Sequence, residues 1–206
     1  MSSNVYDVNK AAYHHGDLAR AALEAAIQIL EDDGLDRLSL RAVASKVGVT
    51  PMALYRHFAD KAALLSAIGR QGFILLGQRL DAVGSEGEPV DVLTAWGMAY
   101  MRFVREHPDM YRLMFAGPPA WQSPADRAAL PDRPDTAFGR LTALMRTALP
   151  PEDVDYAVLS AWSFVHGLAT LVCDRRLSPF EDDVDPLTAN LSRFFAGRLL
   201  GQGRTA

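Results

Sequence analysis

Cationic and hydrogen-bonding side chains concentrate between residues 37 and 70. The segment holds six cations against one anion, a net charge of +5, whereas the rest of the chain carries 15 cations against 24 anions, a net charge of −9. The cations are Arg37, Arg41, Lys46, Arg56, Lys61 and Arg70. A basic segment in an acidic chain is typical of a surface that binds a polyanion. A solvated helical surface is the alternative.

Two short helices joined by a glycine turn are predicted to position these side chains. Ser39 can cap the first helix, and Gly48 can adopt the left-handed conformation that ends it. Thr50 and Pro51 restart a helix at once, because a threonine hydroxyl can accept a free backbone N–H and proline is tolerated at the first helical position. The apolar positions of the first helix are Leu40, Val43, Ala44 and Val47. This is the layout of a helix-turn-helix unit.

The second of these helices carries the side chains that suit contact with double-stranded DNA. Leu54 and Phe58 lie four residues apart and are expected to face inward. The outward positions are then Pro51, Met52, Ala53, Tyr55, Arg56 and His57. Tyrosine and histidine can bind phosphate oxygens, arginine can bind phosphates or base edges, and small residues let a helix enter the major groove closely. Asp60 is predicted to cap a further helix, with Lys61 in its first turn.

Residues 13 to 65 resemble the DNA-binding domain of the tetracycline-repressor (TetR/AcrR-like) transcriptional regulators. The matching residues are Ala22, Ala25, Ala26, Leu30, Gly34, Leu38, Ser39, Arg41, Val43, Ala44, Val47, Gly48, Val49, the run 53–58, Lys61, Leu64 and Leu65. The resemblance implies a three-helix DNA-binding head on a helical body that works as a homodimer on a near-palindromic operator. The run 13–18 also resembles a subset of these regulators, in which an N-terminal arm contacts DNA; capping of the first helix by Asp17 is the alternative.

The same resemblance implies two sets of DNA contacts. Thr50, Tyr55, His57 and Lys61 resemble phosphate contacts. Arg41, Pro51, Met52, Ala53 and Arg56 resemble the groove-facing set. The base preference does not follow from these residues.

The remaining chain is predicted to be all-helical. Its 206 residues, 49% hydrophobic, suffice for a DNA-binding domain at 1–60 and a regulatory and dimerisation domain at 61–206. The helices are placed at 17–33, 39–47, 51–57, 60–83, 89–106, 108–115, 134–148, 151–176 and 186–201. Five prolines make residues 116–136 irregular, either as a flap over the interior of the body or as a loose connection. A single cysteine, Cys173, fits a reducing cytoplasm.

The last two helices are predicted to form the dimer interface. Residues 156–173 carry no formal charge, and the final helix has an apolar stripe wider than one core contact needs. That stripe consists of Leu187, Leu191, Phe194, Phe195, Leu199 and Leu200. Two such helices from each protomer can form a four-helix bundle. A membrane span is the weaker alternative, since the uncharged run is short and contains serine, histidine and threonine.

Trp162 and His166 share one face of the uncharged helix, with Gly167 beside them, and the three residues resemble the WHG-type C-terminal domain of one branch of these regulators. The resemblance implies a pocket for a small, largely apolar or amphipathic effector, and the body supplies aromatic and methionine side chains for its walls. The candidate ligand-binding residues are Tyr100, Met101, Tyr111, Met114, Phe115, Trp121, Phe138, Met145, Trp162 and His166. Each of them could equally belong to an ordinary core.

No motif indicates catalysis, a metal or a cofactor. The chain has no G-x-S-x-G, no H-E-x-x-H and no P-loop, and the adjacent His14 and His15 have no further ligands nearby. With this absence, the resemblance leads us to expect a cytoplasmic, non-enzymatic repressor that a small molecule releases from its DNA operator. A dimeric DNA-binding regulator or scaffold without small-molecule control is the alternative.

Overall fold

The computed structural model of the protein describes residues 15–115, 135–177 and 184–201. Within these ranges every regular element is an α-helix, which confirms the predicted all-α class. The helices are α1 (His15–Asp33), α2 (Leu40–Val47), α3 (Pro51–Tyr55), α4 (Lys61–Val83), α5 (Pro89–Glu106), α6 (Pro108–Phe115), α7 (Ala137–Ala148), α8 (Pro151–Cys173) and α9 (Val184–Gly201).

The helices fall into two compact units, Met1–Ile68 and Gly69–Ala206. In the first unit α1 packs against α2 and α3, and α2 packs against α3. The fully buried side chains of this unit include Ala22, Ala26, Leu30, Leu38, Val43 and Leu54. The apolar residues of α1 and α2, which recur every three or four positions, therefore form a common core, and the polar face of α3 lies outside it.

In the second unit α5 is the central helix. It packs against α8 and α9, while α7 packs against α8. Phe103, Met101, Met110 and Met145 are almost completely buried there. Ion pairs between Arg105 and Asp185, and between Arg193 and Asp91, join α5 to α9 at the surface.

Helix α8 is long and apolar, yet much of it is exposed in the single chain. Tyr156 is 75% exposed and Leu159 58% exposed, and Ser163, Gly167 and Leu171 continue the exposed face along the helix. By length and composition α8 is the one helix in the described ranges that could cross a membrane, with 28% of its most apolar window buried. An exposed uncharged face of this size favours burial against a partner.

Several helix boundaries differ from the predicted ones. Helix α1 begins at His15, so Asp17 lies inside its first turn and cannot be its N-cap. Helix α8 ends at Cys173, and Arg175 adopts a positive φ of 52° just beyond it. Thr136 caps α7, since its Oγ1 accepts a hydrogen bond from Gly139 N at 2.9 Å. The prediction of a flap or a loose connection concerns residues 116–136, of which 116–134 lie outside the described ranges.

Candidate nucleic-acid interface and effector cavity

The turn between α2 and α3 is built by the residues that predicted it. Ser39 Oγ accepts a hydrogen bond from Ala42 N at 3.1 Å and caps α2. Gly48 has a φ of 77°, and the backbone N–H groups of Gly48 and Val49 bind carbonyls in the last turn of α2. A left-handed residue lets the chain reverse while these terminal carbonyls keep partners. The predicted helix-turn-helix geometry is confirmed.

Thr50 differs from the prediction. Its backbone is extended and precedes α3, but its side chain makes no capping hydrogen bond. The Ala53 N–H binds the Thr50 carbonyl at 3.0 Å instead, and Pro51 at the first position needs no N–H partner. The exposed Thr50 hydroxyl is therefore free of any capping role in α3.

Helix α3 presents its predicted outer face to solvent. Met52 is 69% exposed and Tyr55 48% exposed, whereas Leu54 is fully buried. Pro51, Arg56 and, on α2, Arg41 are also exposed, while Ala53 and His57 are half-buried. Helix α3 and its neighbouring residues thus offer accessible cationic, hydroxyl and small apolar groups.

The start of α4 is fixed at the edge of this surface. Asp60 Oδ1 accepts a hydrogen bond from Ala63 N at 2.7 Å, which confirms the predicted cap. The Lys61 ammonium donates to the Leu35 carbonyl at 3.3 Å and is exposed. Since an ammonium has three donors, Lys61 retains two for other partners.

An apolar cavity of about 60 Å³ lies in the second unit between α5, α7, α8 and α9. Tryptophan and phenylalanine rings from three of these helices form most of its walls. The main lining residues are Leu93, Trp96, Tyr100, Leu141, Trp162, Phe164 and Phe195. An apolar lining of this kind suits an apolar molecule.

A wider and more open cleft of about 450 Å³ adjoins α6 and α8. Its lining residues are Tyr111, Arg112, Phe115, Trp162, His166, Thr170, Cys173 and Asp174. Trp162 lines both the cavity and the cleft, so its ring separates an apolar compartment from a more polar one.

His166 occupies the centre of an aromatic cluster beside this cleft. Its ring centroid lies 4.5 Å from that of Phe115 and 4.6 Å from that of Trp162. The hydroxyls of Tyr111 and Tyr100 lie 2.9 Å and 3.4 Å from His166 Nδ1. Burial lowers the pKa of His166 to about 4 and raises that of Tyr100 well above its ordinary value. At neutral pH the cluster therefore consists of uncharged hydrogen-bonding groups.

The structure brings only part of the predicted ligand-binding set together. Tyr100, Tyr111, Phe115, Trp162 and His166 line the cavity or the cleft. Phe138 packs edge-to-face against Trp162 with centroids 5.2 Å apart, from outside the lining. The predicted methionines, Met101, Met114 and Met145, are buried core residues that line neither space. Trp121 lies outside the described residues.

Most residues of the cavity wall are absent from the predicted ligand-binding set, Ser192 and Gly97 among them. Ser192 and Gly97 both line the cavity, on facing helices α9 and α5. A serine within an apolar stripe was the available signal, but its significance depends on what faces it. Within the described parts of the chain, no group of three or more His, Cys, Asp or Glu side chains could hold a metal ion.

Comparisons with known proteins place both units in one family. Residues 22–68 match the model described as bacterial regulatory proteins, tetR family, and residues 93–195 match the tetracyclin repressor-like C-terminal domain. Trp162, His166 and Gly167 lie within the second match. The chain is 25% identical over 177 residues to an uncharacterised HTH-type transcriptional regulator of Mycobacterium tuberculosis, covering 85% of this chain and 78% of that protein.

Solved structures share the fold. A protein of unknown function from Rhodococcus sp. RHA1 superimposes with a TM-score of 0.74 at 29% identity, covering 93% of this chain and all of the other. A TetR variant from Acinetobacter baumannii AYE in complex with minocycline gives a TM-score of 0.63 at 18% identity, covering 97% and 100%. The two family matches, with the exposed helix-turn-helix between Ser39 and Tyr55, show that the chain belongs to the tetracycline-repressor family of DNA-binding transcriptional regulators.

Proposed function

We propose that this protein is a homodimeric repressor that a small, largely apolar or amphipathic ligand releases from a near-palindromic operator. DNA binding is the common property of its family; repression and release by a ligand are the proposed parts. The apolar cavity among α5, α7, α8 and α9 carries the proposal, because a body that served only to dimerise would need no such space.

The proposed operator contacts come from the exposed face of α3 and its neighbours. Thr50, Tyr55, His57 and Lys61 bind phosphates in this proposal, and the exposed Thr50 hydroxyl and the two remaining Lys61 donors support those roles. The proposed groove-facing residues are Arg41, Pro51, Met52, Ala53 and Arg56. Met52 and Arg56 are exposed on the side of α3 away from the buried Leu54, as a groove contact requires.

The proposed effector occupies the apolar cavity and reaches the cleft beside Trp162. Tyr100 then contacts it from the cavity, and Tyr111, Phe115 and His166 contact it from the cleft side. The neutral His166 and the two tyrosine hydroxyls can orient a polar group of the ligand without a charge partner.

The proposed dimer forms through the exposed face of α8 together with α9. Tyr156, Leu159 and Leu171 on α8 and Phe194 on α9 are large apolar side chains that solvent reaches in the single chain. Burying them between two protomers gives an isologous four-helix contact, and operator symmetry then mirrors the two-fold axis of the protein. A regulator of chromosomal DNA acts in the cytoplasm, which is the location we propose.

Release follows from a population shift. A ligand that binds more tightly to a conformation of the dimer whose two reading heads do not match successive major grooves lowers the affinity for the operator. The effect is limited to the difference between the ligand's affinities for the two conformations.

The test combines selection of bound genomic DNA with native mass spectrometry of the protein purified from its host. We expect one near-palindromic site to be enriched, a small molecule to co-purify, and this molecule to dissociate the selected duplex in a fluorescence anisotropy titration. A selected duplex that no co-purified molecule dissociates would favour the alternative of a regulator without small-molecule control.

A further inference from the structure

The imidazole of His166 offers one of its nitrogens to the cleft between α6 and α8. The hydroxyls of Tyr111 and Tyr100 lie near Nδ1, at 2.9 Å and 3.4 Å, whereas Nε2 has no hydrogen-bond partner in the described parts of the chain. In those parts, the side-chain atoms that are buried without a partner are Ser192 Oγ and Arg140 Nη1. Nε2 is not one of them and therefore reaches open space, and the open space described beside His166 is the cleft.

The two tyrosine hydroxyls determine which nitrogen of His166 carries the proton. Burial lowers the pKa of His166 to about 4, so at neutral pH one ring nitrogen donates and the other accepts. Burial also raises the pKa of Tyr100 and of Tyr111, so each hydroxyl keeps a hydrogen to donate. Two donors beside Nδ1 favour a lone pair on that atom. The proton then lies on Nε2, which is a hydrogen-bond donor towards the cleft.

Aromatic rings surround this donor. The ring centroids of Phe115 and Trp162 lie 4.5 Å and 4.6 Å from that of His166, and both pairs are edge-to-face. The ring of Tyr111 lies 6.3 Å away. All these residues line the cleft. Ring walls around a single directional donor suit an aromatic molecule that carries an acceptor atom.

Other polar groups of the lining already have partners. Thr170 Oγ1 donates to the His166 carbonyl at 2.9 Å. Arg112 donates to Asp109 Oδ1 at 2.8 Å and to the last carbonyl of α8 at 2.6 Å. Asp174 places a carboxylate in the same lining. Because Asp109 compensates Arg112 and an anionic ligand would meet the like charge of Asp174, an uncharged ligand fits the cleft.

The sizes of the two spaces place the ring of such a ligand in the cleft. The apolar cavity of about 60 Å³ is too small for a ring, since a cavity that holds benzene measures roughly 150 Å³. The cleft of about 450 Å³ is in the range of sites for small molecules and can hold two fused rings. The cavity can take no more than a small apolar substituent.

We propose that the cleft binds an uncharged aromatic carbonyl compound and that His166 Nε2 donates a hydrogen bond to its carbonyl oxygen. The ring lies against Phe115 and Trp162, and Tyr111 holds the imidazole in the donating tautomer. His166 then selects a carbonyl compound over a hydrocarbon of the same shape. This inference deepens the proposed function, on which it rests for the effector role of the bound molecule.

The test compares α-tetralone with tetralin, two bicyclic aromatic molecules that differ by a carbonyl in place of a methylene group. Equilibrium dialysis of the full chain at neutral pH gives both dissociation constants, and their ratio cancels the shared apolar contribution. We expect His166→Asn to shift this ratio roughly fivefold against α-tetralone, the equivalent of one hydrogen bond, because an asparagine amide reaches only to the place of Nδ1. His166→Gln, whose amide reaches to the place of Nε2, should keep most of the preference.

Thr170→Val is the matched control. It removes a hydroxyl from the same lining whose hydrogen already goes to the His166 carbonyl, so the ratio should keep its wild-type value. A charged probe tests the electrostatic argument. Naphthoate, an anion of similar size, should bind roughly tenfold more weakly than α-tetralone because of Asp174.

Nitrogen NMR of the histidine-labelled wild type does not depend on the folding of a variant. The resonances of His166 are identified by their absence in His166→Gln. Nε2 should carry the proton in the free protein, and its resonance should move on addition of α-tetralone and much less on addition of tetralin.

The inference would be overturned by binding of neither bicyclic probe, by an unchanged ratio in His166→Asn, or by a proton on Nδ1. Naphthoate that binds as tightly as α-tetralone, or a fivefold loss in Thr170→Val, would overturn it as well. Because these measurements contain no DNA, they are independent of the regulatory proposal. If α-tetralone binds through His166 while no ligand affects operator binding, this inference stands and ligand-controlled repression is refuted.

Discussion

Tyr55 and Met52 lie on the same exposed face of α3 but suit different partners on DNA. A tyrosine hydroxyl binds a phosphate of any sequence, whereas a methionine side chain can only distinguish bases by apolar contact in the groove. Tyr55→Phe and Lys61→Ala should therefore weaken binding to the selected operator and to unrelated duplexes by similar factors. Met52→Ala and Arg41→Ala should change the ratio between the two.

Fluorescence anisotropy with matched and scrambled duplexes measures both quantities. Glu86→Gln, which changes an exposed charge between α4 and α5, is a control expected to leave the ratio unchanged. Equal losses on both duplexes for all four substitutions would contradict the assignment of Arg41 and Met52 to the groove.

His166 should make the protein sensitive to mild acid. Its folded pKa of about 4 lies below the ordinary value of 6.5, so between these pH values the unfolded state binds the proton more readily. The contribution of this group to stability is then complete above about pH 6.5 and falls by about 3 kcal/mol as the pH approaches 4. Urea unfolding of the wild type and of His166→Gln at several pH values would show a shallower decline in the variant. An unchanged decline would mean that other groups cause the acid sensitivity.

Single-residue signals in the sequence were informative where the partner is local. Ser39, Gly48 and Asp60 act within three or four residues, and each has the predicted role. Thr50 shows the limit of such signals, because a side chain able to cap α3 leaves its hydroxyl unused by the helix. Ser192 was missed, because its contact is with Gly97, a residue 95 positions away in the chain.

At the scale of elements, the link between α2 and α3 depends on one backbone conformation. Gly48 has a φ of 77°, and no atom lies within 4 Å of the position a Cβ would take there. Gly48→Ala should therefore cost about 1 kcal/mol through backbone strain alone. Gly48→Asn should cost less, because asparagine tolerates the left-handed region better.

Denaturant unfolding followed by circular dichroism would measure both variants against the wild type. If Gly48→Ala and Gly48→Asn lose the same free energy of unfolding, the strain argument is wrong and the turn relaxes in both variants. Operator affinity should follow the same order, since the turn sets the direction of α3.

The positions of the helices could be predicted from apolar spacing and from proline and glycine. Which helices pack against each other could not be predicted from these signals. The predicted spans agree closely with α2 and α4 to α6, because each begins or ends at a cap or a proline. Spacing identifies the buried face of a helix but not the neighbour that covers it. Met101 and Met145 thus resembled cavity residues in the sequence, and they are covered by other core side chains in the fold.

At the scale of the whole molecule, the proposed dimer predicts that a charge on the exposed face of α8 disrupts dimerisation. Leu159 is 58% exposed in the single chain and is buried in the proposed dimer. Leu159→Glu places a carboxylate from each protomer in that contact and should weaken dimerisation roughly 100-fold, because a charge is buried there without a partner. Light scattering after size-exclusion chromatography would detect the monomer.

Val83→Glu is the corresponding control. Val83 is 44% exposed at the end of α4, outside the proposed interface, and should accept a charge without a change in mass. A dimer that persists in Leu159→Glu would place the interface elsewhere. Operator affinity should fall together with dimerisation, since the resemblance predicted two reading heads on one near-palindromic site.

Because the exposed part of α8 carries no formal charge, the proposed dimerisation and the binding of DNA should respond differently to salt. Residues 156–173 hold no Asp, Glu, Lys or Arg, whereas residues 37–70 carry a net charge of +5 from six cations and one anion. Added salt releases no counterions from an uncharged contact but competes strongly with phosphate binding. Raising the ionic strength should therefore detach the proposed dimer from DNA without dissociating it, and a bacterium under osmotic stress would then retain a pool of paired regulators ready to rebind.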